Sequence, residues 1–270
     1  MHRSGTSAIA RGIAALGVYL GTDFLDAQPE NPTGYWEDKG IVEIDERVLK
    51  ALGLRWDDIE PIAPAEFRRL RIRLLHADAV RYVKRTFGAH PLWGFKDPRV
   101  IRLLPFWRGV LRKCRADDAY VVAIRNPRSV EASLFRRQSM SATAARRLWL
   151  VHMVPDLRLI ADRPLVVVDY DLLMREPRAQ LERIARALKL PAPDPGEIER
   201  FAAEFLDETL RHSVFSPDEL EAATDLERLT QKAYRLLYDL ASDRLVPDDA
   251  WWRSWDEIEQ LFSGAAAPTR

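Results

Sequence analysis

The chain has 270 residues, 47% of them hydrophobic, which is enough to bury one substantial core. Its 41 lysines and arginines balance 41 aspartates and glutamates, so the charge gives no support to a role in binding nucleic acid or an anionic membrane. The single cysteine, Cys114, excludes an internal disulfide and a cysteine-based zinc site. No apolar run approaches the roughly 20 residues that span a bilayer, and no signal pattern is present, so we expect a cytoplasmic protein without a transmembrane segment.

Short apolar runs predict three strands, at residues 92–95, 120–124 and 165–168. Each run is continuously apolar rather than alternating, which is typical of strands buried on both faces of a parallel sheet. Helical patterns precede or separate these runs, at residues 65–87, 101–115 and 143–161. The alternation predicts an α/β fold with three layers, α/β/α, around a central parallel sheet.

After Pro177 the pattern is helical, with breaks at residues 191–196 and at Ser216, an N-cap residue before Pro217. A final helix is predicted to start near Asp248 and to bury Trp251, Trp255 and Leu261. We therefore expect one domain over residues 1–262, followed by a disordered tail at 263–270. Within the domain we expect an α/β core over about 1–190 and a helical portion over about 191–262.

Near the amino end, Arg3-Ser4-Gly5-Thr6-Ser7 precedes an alanine-rich helical stretch. A glycine and small residues at a helix start present unpaired N–H groups and a positive dipole end to an anion. Arg3 adds a planar cation that can bind two phosphate or sulfate oxygens at once. The loop lacks the lysine of a Walker A motif, which argues against an NTPase. The alternative is a serine-capped helix start without a ligand.

Two further polar clusters follow predicted strands, where open parallel sheets bind ligands. Lys96 follows the first strand and could hold a transferring anionic group, although Asp97-Pro98 could equally form a turn with a solvated lysine. Arg125 follows the second strand, and Asn126-Pro127 predicts the start of a helix. Ser133 would lie about two turns into that helix, where it could bind one phosphate together with Arg125. The alternative for Ser133 is an incidental helix serine.

Together these clusters resemble the sulfotransferases that use 3′-phosphoadenosine 5′-phosphosulfate (PAPS), in particular their bacterial branch. Arg3–Ser7 matches the 5′-phosphosulfate loop of that family, and Arg125-Asn126-Pro127 with Ser133 matches its 3′-phosphate element. Tyr170-Asp171-Leu172-Leu173, the stretch 30–37 and Lys96-Asp97-Pro98 are similar to further family elements. The resemblance covers roughly the first 190 residues and implies a P-loop NTPase-like sulfotransferase fold.

The resemblance also implies roles for these residues. The donor-binding residues would be Arg3, Ser4, Gly5, Thr6, Ser7, Arg125 and Ser133. Arg3, Lys96 and Glu37 would be catalytic, with Lys96 stabilising the bridging or sulfuryl oxygens and Glu37 deprotonating the acceptor. Glu30 is the second candidate for the base, His212 is a weaker acceptor-site candidate, and a surface role for Glu37 stays open. The acceptor would be a hydroxyl of a carbohydrate, lipid or small molecule, and no metal is implied.

Two other functions stay open: a P-loop-like nucleotide-dependent kinase, and a non-catalytic, N-truncated sulfotransferase-like protein. In the family a first strand precedes the phosphosulfate loop, whereas here only Met1 and His2 precede Arg3. We therefore expect Met1 to be an internal methionine of a longer chain. The sequence leaves the oligomeric state open.

Overall fold

The computed structural model describes residues 1–28, 31, 33–192, 194–205, 215 and 224–266. In chain order its helices and strands are α1 (Thr6–Ala15), α2 (Lys39–Leu52), α3 (Leu70–Phe87), α4 (Leu104–Cys114), β1 (Tyr120–Ile124), α5 (Pro127–Gln138), α6 (Ala142–Met153), β2 (Leu165–Asp169), α7 (Tyr170–Arg175), α8 (Pro177–Ala187), α9 (Pro195–Arg200), α10 (Asp225–Ala241) and α11 (Asp249–Ala266). Short 3₁₀ turns lie at Pro64–Arg68, Val100–Leu103 and Leu157–Ile160, and a π turn lies at Phe201–Phe205. The described chain is thus a mixed α/β structure that is mostly helical.

The strands β1 and β2 form a two-stranded parallel sheet in which Tyr120 lies opposite Leu165 and Ile124 opposite Asp169. The sequence predicted both strands, and β2 is one residue longer than expected because Asp169 continues the ladder. The connection between them contains α5 and α6, as a parallel pair requires. Because the strands are parallel, Arg125 and Asp169 lie at the same edge of the sheet.

Helices cover both faces of this sheet. Val166 and Val168 pack in one hydrophobic cluster with residues of α1 and α8. Val122, Ile124 and Val167 belong to a second cluster with residues of α5, α6, α10 and α11. The continuous apolar character of the strands therefore reflects burial on two faces, as predicted. None of the helices in the described ranges combines the length and the apolar character that crossing a bilayer requires.

A separate helical core lies beside the sheet and contains buried residues of α2, α3 and α4. Its largest fully buried side chains include Trp107, whose indole N–H donates to the Asp45 carboxylate at 2.7 Å. Phe87 ends α3 inside this core and stacks on Trp93, with ring centroids 5.2 Å apart. The three helices thereby position the segment 92–97, which contains Lys96.

The prediction of a strand at 92–95 is wrong. Only Trp93 pairs, in an isolated parallel bridge with Tyr19. The Tyr19 N–H donates to the Leu92 carbonyl at 3.2 Å, and the Gly94 N–H donates to the Tyr19 carbonyl at 2.9 Å. A strand requires a neighbour along its whole length, and Tyr19 supplies a single residue. The apolar character of the segment was real, but the pairing partner that the prediction assumed does not lie beside it.

The C-terminal predictions were partly correct. The described residues after Pro177 contain helices, and α11 buries Trp251 and Trp255. The burial of Leu261 was wrong, since its side chain is 54% exposed and the next residue, Phe262, is buried instead. The helix also continues to Ala266, four residues past the predicted domain end at 262. Ser216, the predicted N-cap, lies outside the described residues.

The predicted helices at 65–87, 101–115 and 143–161 form with α-helical segments shorter than expected. The backbone of Arg69 is extended, with φ −59° and ψ 144°, so a 3₁₀ turn ends there and α3 begins at the next residue. A 3₁₀ turn also precedes α4 and follows α6. Hydrophobic spacing therefore located the helices but not their boundaries.

Burial of the Asp156 carboxyl gives the fold a pH-dependent stability. Burial, together with the negative charge of Glu259, raises the pKa of Asp156 to about 7. A carboxyl group with a raised folded-state pKa stabilises the fold fully below its unfolded pKa, and this contribution is lost as pH rises through the folded value. We expect Asp156→Asn to be more stable than the native protein at pH 8 by about 2–4 kcal/mol, at roughly 1.4 kcal/mol per pKa unit.

Urea unfolding between pH 4 and pH 8 measures this effect. At pH 4 the native protein and the Asn variant should differ least in stability, because the folded Asp156 carboxyl is neutral there and the unfolded one is only partly ionised. The difference between the two proteins should then grow with pH. Stability curves that stay parallel across this range would show that Asp156 is not the titrating group.

Candidate functional site

The loop predicted to bind an anion makes a tight turn directly before α1. Gly5 is the N-cap of α1, with φ 69° and ψ 20°, and Arg3 also has a positive φ of 65°. A Cβ at residue 5 would lie 2.0 Å from Cδ2 of Tyr170, far inside van der Waals contact. Glycine is therefore required here both by the left-handed backbone and by the Tyr170 ring.

The amino end of α1 is suited to an anion. Gly5 has no side chain with which to cap the N–H groups of the first turn, and that turn contains no acidic residue. The Ser4 side chain is fully buried, and its hydroxyl has no hydrogen-bond partner among the described residues. Ser129, in the first turn of α5, also has a buried hydroxyl without a hydrogen-bond partner among the described residues. Buried hydroxyls normally have a hydrogen-bond partner, and neither Ser4 nor Ser129 has one among the described residues.

The loop contacts the helix that the sequence assigned to the other end of the donor. The Arg3 Nε donates a hydrogen bond of 2.8 Å to the Ser133 hydroxyl, across 130 residues of sequence. Ser133 is buried on α5, whose start agrees with the prediction, since Asn126 accepts from the Arg128 N–H at 3.0 Å. The two predicted phosphate-binding elements therefore meet, because the sheet and α5 fold back on the amino end.

Arg125 lies at the carboxyl end of β1 and is buried, with 8% of its surface exposed. Its guanidinium carbon lies 4.8 Å from the centroid of the Tyr170 ring, and its Nε lies 3.9 Å from the Asp171 carboxylate. The same Tyr170 ring packs on Gly5. Tyr170 thus connects the loop to Arg125.

The position of Tyr170 follows from how β2 ends. The Asp169 carboxylate accepts from the N–H groups of Asp171 and Leu172, at 2.9 and 3.0 Å, and so caps α7. Burial, followed by the charge of Asp171, raises the pKa of Asp169 to about 6. The Tyr234 hydroxyl also donates to this carboxylate, at 3.3 Å. The strand end therefore turns at once into a short helix that holds Tyr170 over the loop.

The predicted base and the predicted catalytic cation form a buried pair. The Lys96 Nζ lies 2.6 Å from a Glu37 carboxylate oxygen and also donates to the Tyr35 carbonyl at 2.9 Å. The exposed fractions of the two side chains are 14% for Lys96 and 7% for Glu37. The Ser7 hydroxyl donates to the same Tyr35 carbonyl at 3.1 Å. The pair is thereby attached to the start of α1 through the Tyr35 carbonyl.

Burial dominates the electrostatics of this pair. It raises the pKa of Glu37, with Asp97 acting in the same direction and Lys96 opposing it. Burial also lowers the pKa of Lys96, against the attraction of Glu37. The neighbouring Asp97 is buried and is held by Arg99, with Nη1 2.7 Å from its carboxylate. Burial therefore disfavours the charged form of both groups and brings their two pKa values toward each other.

Sequence reasoning missed several contacts at this site. It did not assign the ring of Tyr170 to the space between Gly5 and Arg125. It also missed Asn31, whose amide donates to the Gly34 carbonyl at 2.7 Å and reaches the Ser7 hydroxyl at 3.5 Å. A glycine in a loop followed by an aromatic residue elsewhere gives no local signal of contact. The alternative candidates Glu30 and His212 lie outside the described residues.

Comparison with known proteins finds no relative: no family model matches the chain, and no curated protein and no solved structure is significantly similar to it. Within the described ranges, no three histidine, cysteine, aspartate or glutamate side chains are grouped as metal ligands.

Proposed function

We propose that this protein is a sulfotransferase that moves the sulfuryl group of PAPS to a hydroxyl of a carbohydrate, lipid or small-molecule acceptor in the cytoplasm. We also propose that the chain has the three-layer α/β/α arrangement of a P-loop NTPase-like fold. The observation that supports it most is the hydrogen bond between Arg3 and Ser133. This bond brings together two motifs that the sequence resemblance assigned to opposite ends of one donor molecule.

The residues present fit such a donor. Arg3 supplies positive charge in the loop before α1, and Arg125 supplies it against the Tyr170 ring. The first turn of α1 adds N–H groups that no side chain of Gly5 caps. The 5′-phosphosulfate would accept from Arg3 and from the N–H groups at the start of α1, and the 3′-phosphate would accept from Arg125. The donor would also bring an already activated sulfuryl group, which leaves positioning and charge stabilisation to the protein.

Glu37 and Lys96 have the chemistry that transfer to a hydroxyl requires. The acceptor oxygen must lose a proton as it bonds to sulfur, and the Glu37 carboxylate, with its raised pKa, is suited to take that proton. Negative charge gathers on the leaving phosphate oxygen, and Lys96 can stabilise it. In the structure these two groups neutralise each other, so substrate binding must separate them by shifting the Lys96 ammonium toward the phosphate.

A thermal-shift comparison tests the proposal. We expect 3′,5′-bisphosphoadenosine to stabilise the protein more than ATP with magnesium does. At 100 times its Kd, one bound ligand adds about 2.7 kcal/mol, or roughly 5 °C for a chain of this size. Arg125→Ala should abolish the shift, whereas Arg147→Ala, an exposed arginine on α6, should preserve it.

Each contrary result points to one alternative. Equal or greater stabilisation by ATP with magnesium would favour the kinase. Indifference to both nucleotides would favour the non-catalytic protein.

A further inference from the structure

A cavity of about 610 Å³ lies beside β1 and extends to the candidate site. We call it the strand slot, and it is bounded by β1 on one side and by residues 92–96 on the other. Its other walls are formed mainly by apolar side chains, among them Ile13, Val18, Leu20, Leu104 and Trp107. Lys96, Thr6 and Met1 line the end nearest the candidate site.

Both bounding segments turn their backbone edge, rather than one row of side chains, toward the slot. Four consecutive residues of β1, 120–123, line it, and so do five consecutive residues of the opposite segment, 92–96. Side chains of successive strand residues point to opposite faces. Consecutive residues can therefore line one cavity only if the backbone edge is turned toward it.

Main-chain groups point into the slot from both edges. The Tyr120 N–H donates to the Pro164 carbonyl at 2.9 Å, on the β2 side. Because successive residues alternate, the N–H and C=O groups of Val121 and Ala123 point away from β2 and toward the slot. In the opposite segment, the Leu92 carbonyl and the Gly94 N–H form hydrogen bonds with the main chain of Tyr19. The main-chain groups of Trp93 therefore point toward the slot as well.

The burial of β1 agrees with an incomplete sheet. Four of the five residues of β2 are buried, whereas Val121 and Ala123 of the equally apolar β1 are only partly buried. The two edges also run in the same direction, since Lys96 follows one and Arg125 follows the other, and both lie at the candidate site. A strand between them would be parallel to both and covered by helices on both faces.

We infer that the strand slot binds an extended, uncharged, apolar peptide segment, which adds to the sheet as a parallel strand between β1 and residues 92–95. This inference does not depend on the proposed function. A segment matching β1 has about five residues and spans roughly 17 Å. An alkyl chain would fill the volume but would leave the main-chain groups of Val121, Ala123 and Trp93 without partners. A peptide strand supplies those partners and continues the β1–β2 ladder.

The probe is a synthetic peptide of five β-branched or aliphatic residues flanked by lysines for solubility. Bound to the 270-residue protein, it should slow hydrogen exchange at the amides of Val121, Ala123 and Trp93 by about tenfold or more and raise the melting temperature. The matched control is the same peptide N-methylated at alternate residues, which keeps its apolar surface but removes donors. This control should give no protection.

A second arm fuses the five-residue segment to the amino group of Met1, which lines the slot, and compares it with a glycine-serine fusion of equal length. The fused apolar segment should protect the same three amides at a much higher effective concentration. Dodecanol tests the lipid alternative. Stabilisation by dodecanol without amide protection by either form of the peptide would overturn the inference, and so would equal stabilisation by the methylated and unmethylated peptides.

Discussion

Replacement of Lys96 by alanine is expected to slow the proposed sulfuryl transfer strongly and to lower the free energy of unfolding by about 3–5 kcal/mol. The two effects have one cause. Lys96 and Glu37 are 2.6 Å apart and almost fully buried, so removing the ammonium leaves a carboxylate with no opposite charge at that distance. The loss of charge stabilisation at the leaving group should reduce the transfer rate by about 10²–10³-fold. Urea unfolding and a sulfate-transfer assay with PAPS measure the two effects separately.

A double variant separates folding from chemistry. In Lys96→Met with Glu37→Gln both charges are replaced by neutral side chains of similar volume, and such replacements of buried pairs are often neutral or stabilising. The double variant should therefore unfold within about 1 kcal/mol of the native protein. It should nevertheless remain inactive, because it lacks both the cation and the base. If Lys96→Ala keeps native stability, the pair is not buried in solution, and if the double variant is active, neither residue is catalytic.

Local features of the site could be predicted from the sequence. The strands β1 and β2 are uninterrupted apolar runs, and the two adjacent residues Asn126 and Pro127 are enough to predict the start of α5. In each case the information lies within a few positions of the chain. The helices around them were also located by hydrophobic spacing, although their ends were not. These elements determine which side chains stand at the carboxyl edge of the sheet.

Pairings across the sequence could not be predicted in the same way. Glu37 and Lys96 were proposed for separate roles, and nothing in either local pattern indicates that they form an ion pair in the structure. The segment 92–95 is a second case in which a distant partner decides the structure. Its composition is typical of a strand, but strand formation depends on a neighbour, and Tyr19 supplies one residue only. Where the partner of a segment lies far away in sequence, the local pattern indicates only the propensity to form a strand. Whether the strand forms depends on the tertiary structure.

Gly5→Ala is the second substitution with a large expected effect. Alanine at a left-handed backbone position costs about 1–2 kcal/mol, and overpacking of a filled site costs about 1–3 kcal/mol more. Both apply here, because φ is 69° and the added Cβ would lie 2.0 Å from the Tyr170 ring. We expect a loss of about 2–5 kcal/mol in urea unfolding. Since Tyr170 also contacts Arg125, the displaced ring should weaken binding of 3′,5′-bisphosphoadenosine at least tenfold, about 1.4 kcal/mol.

Gly17→Ala is the matched control for this substitution. Gly17 also has a left-handed backbone, with φ 84°, but its added Cβ would meet nothing within 4 Å. The control therefore measures the backbone cost alone, and the difference between the two variants measures the contact with Tyr170. Nucleotide binding should be unchanged in Gly17→Ala, which lies after the carboxyl end of α1. If the two variants lose the same stability and bind the nucleotide equally well, then the Tyr170 ring does not hold the loop, and the connection from Gly5 to Arg125 is absent in solution.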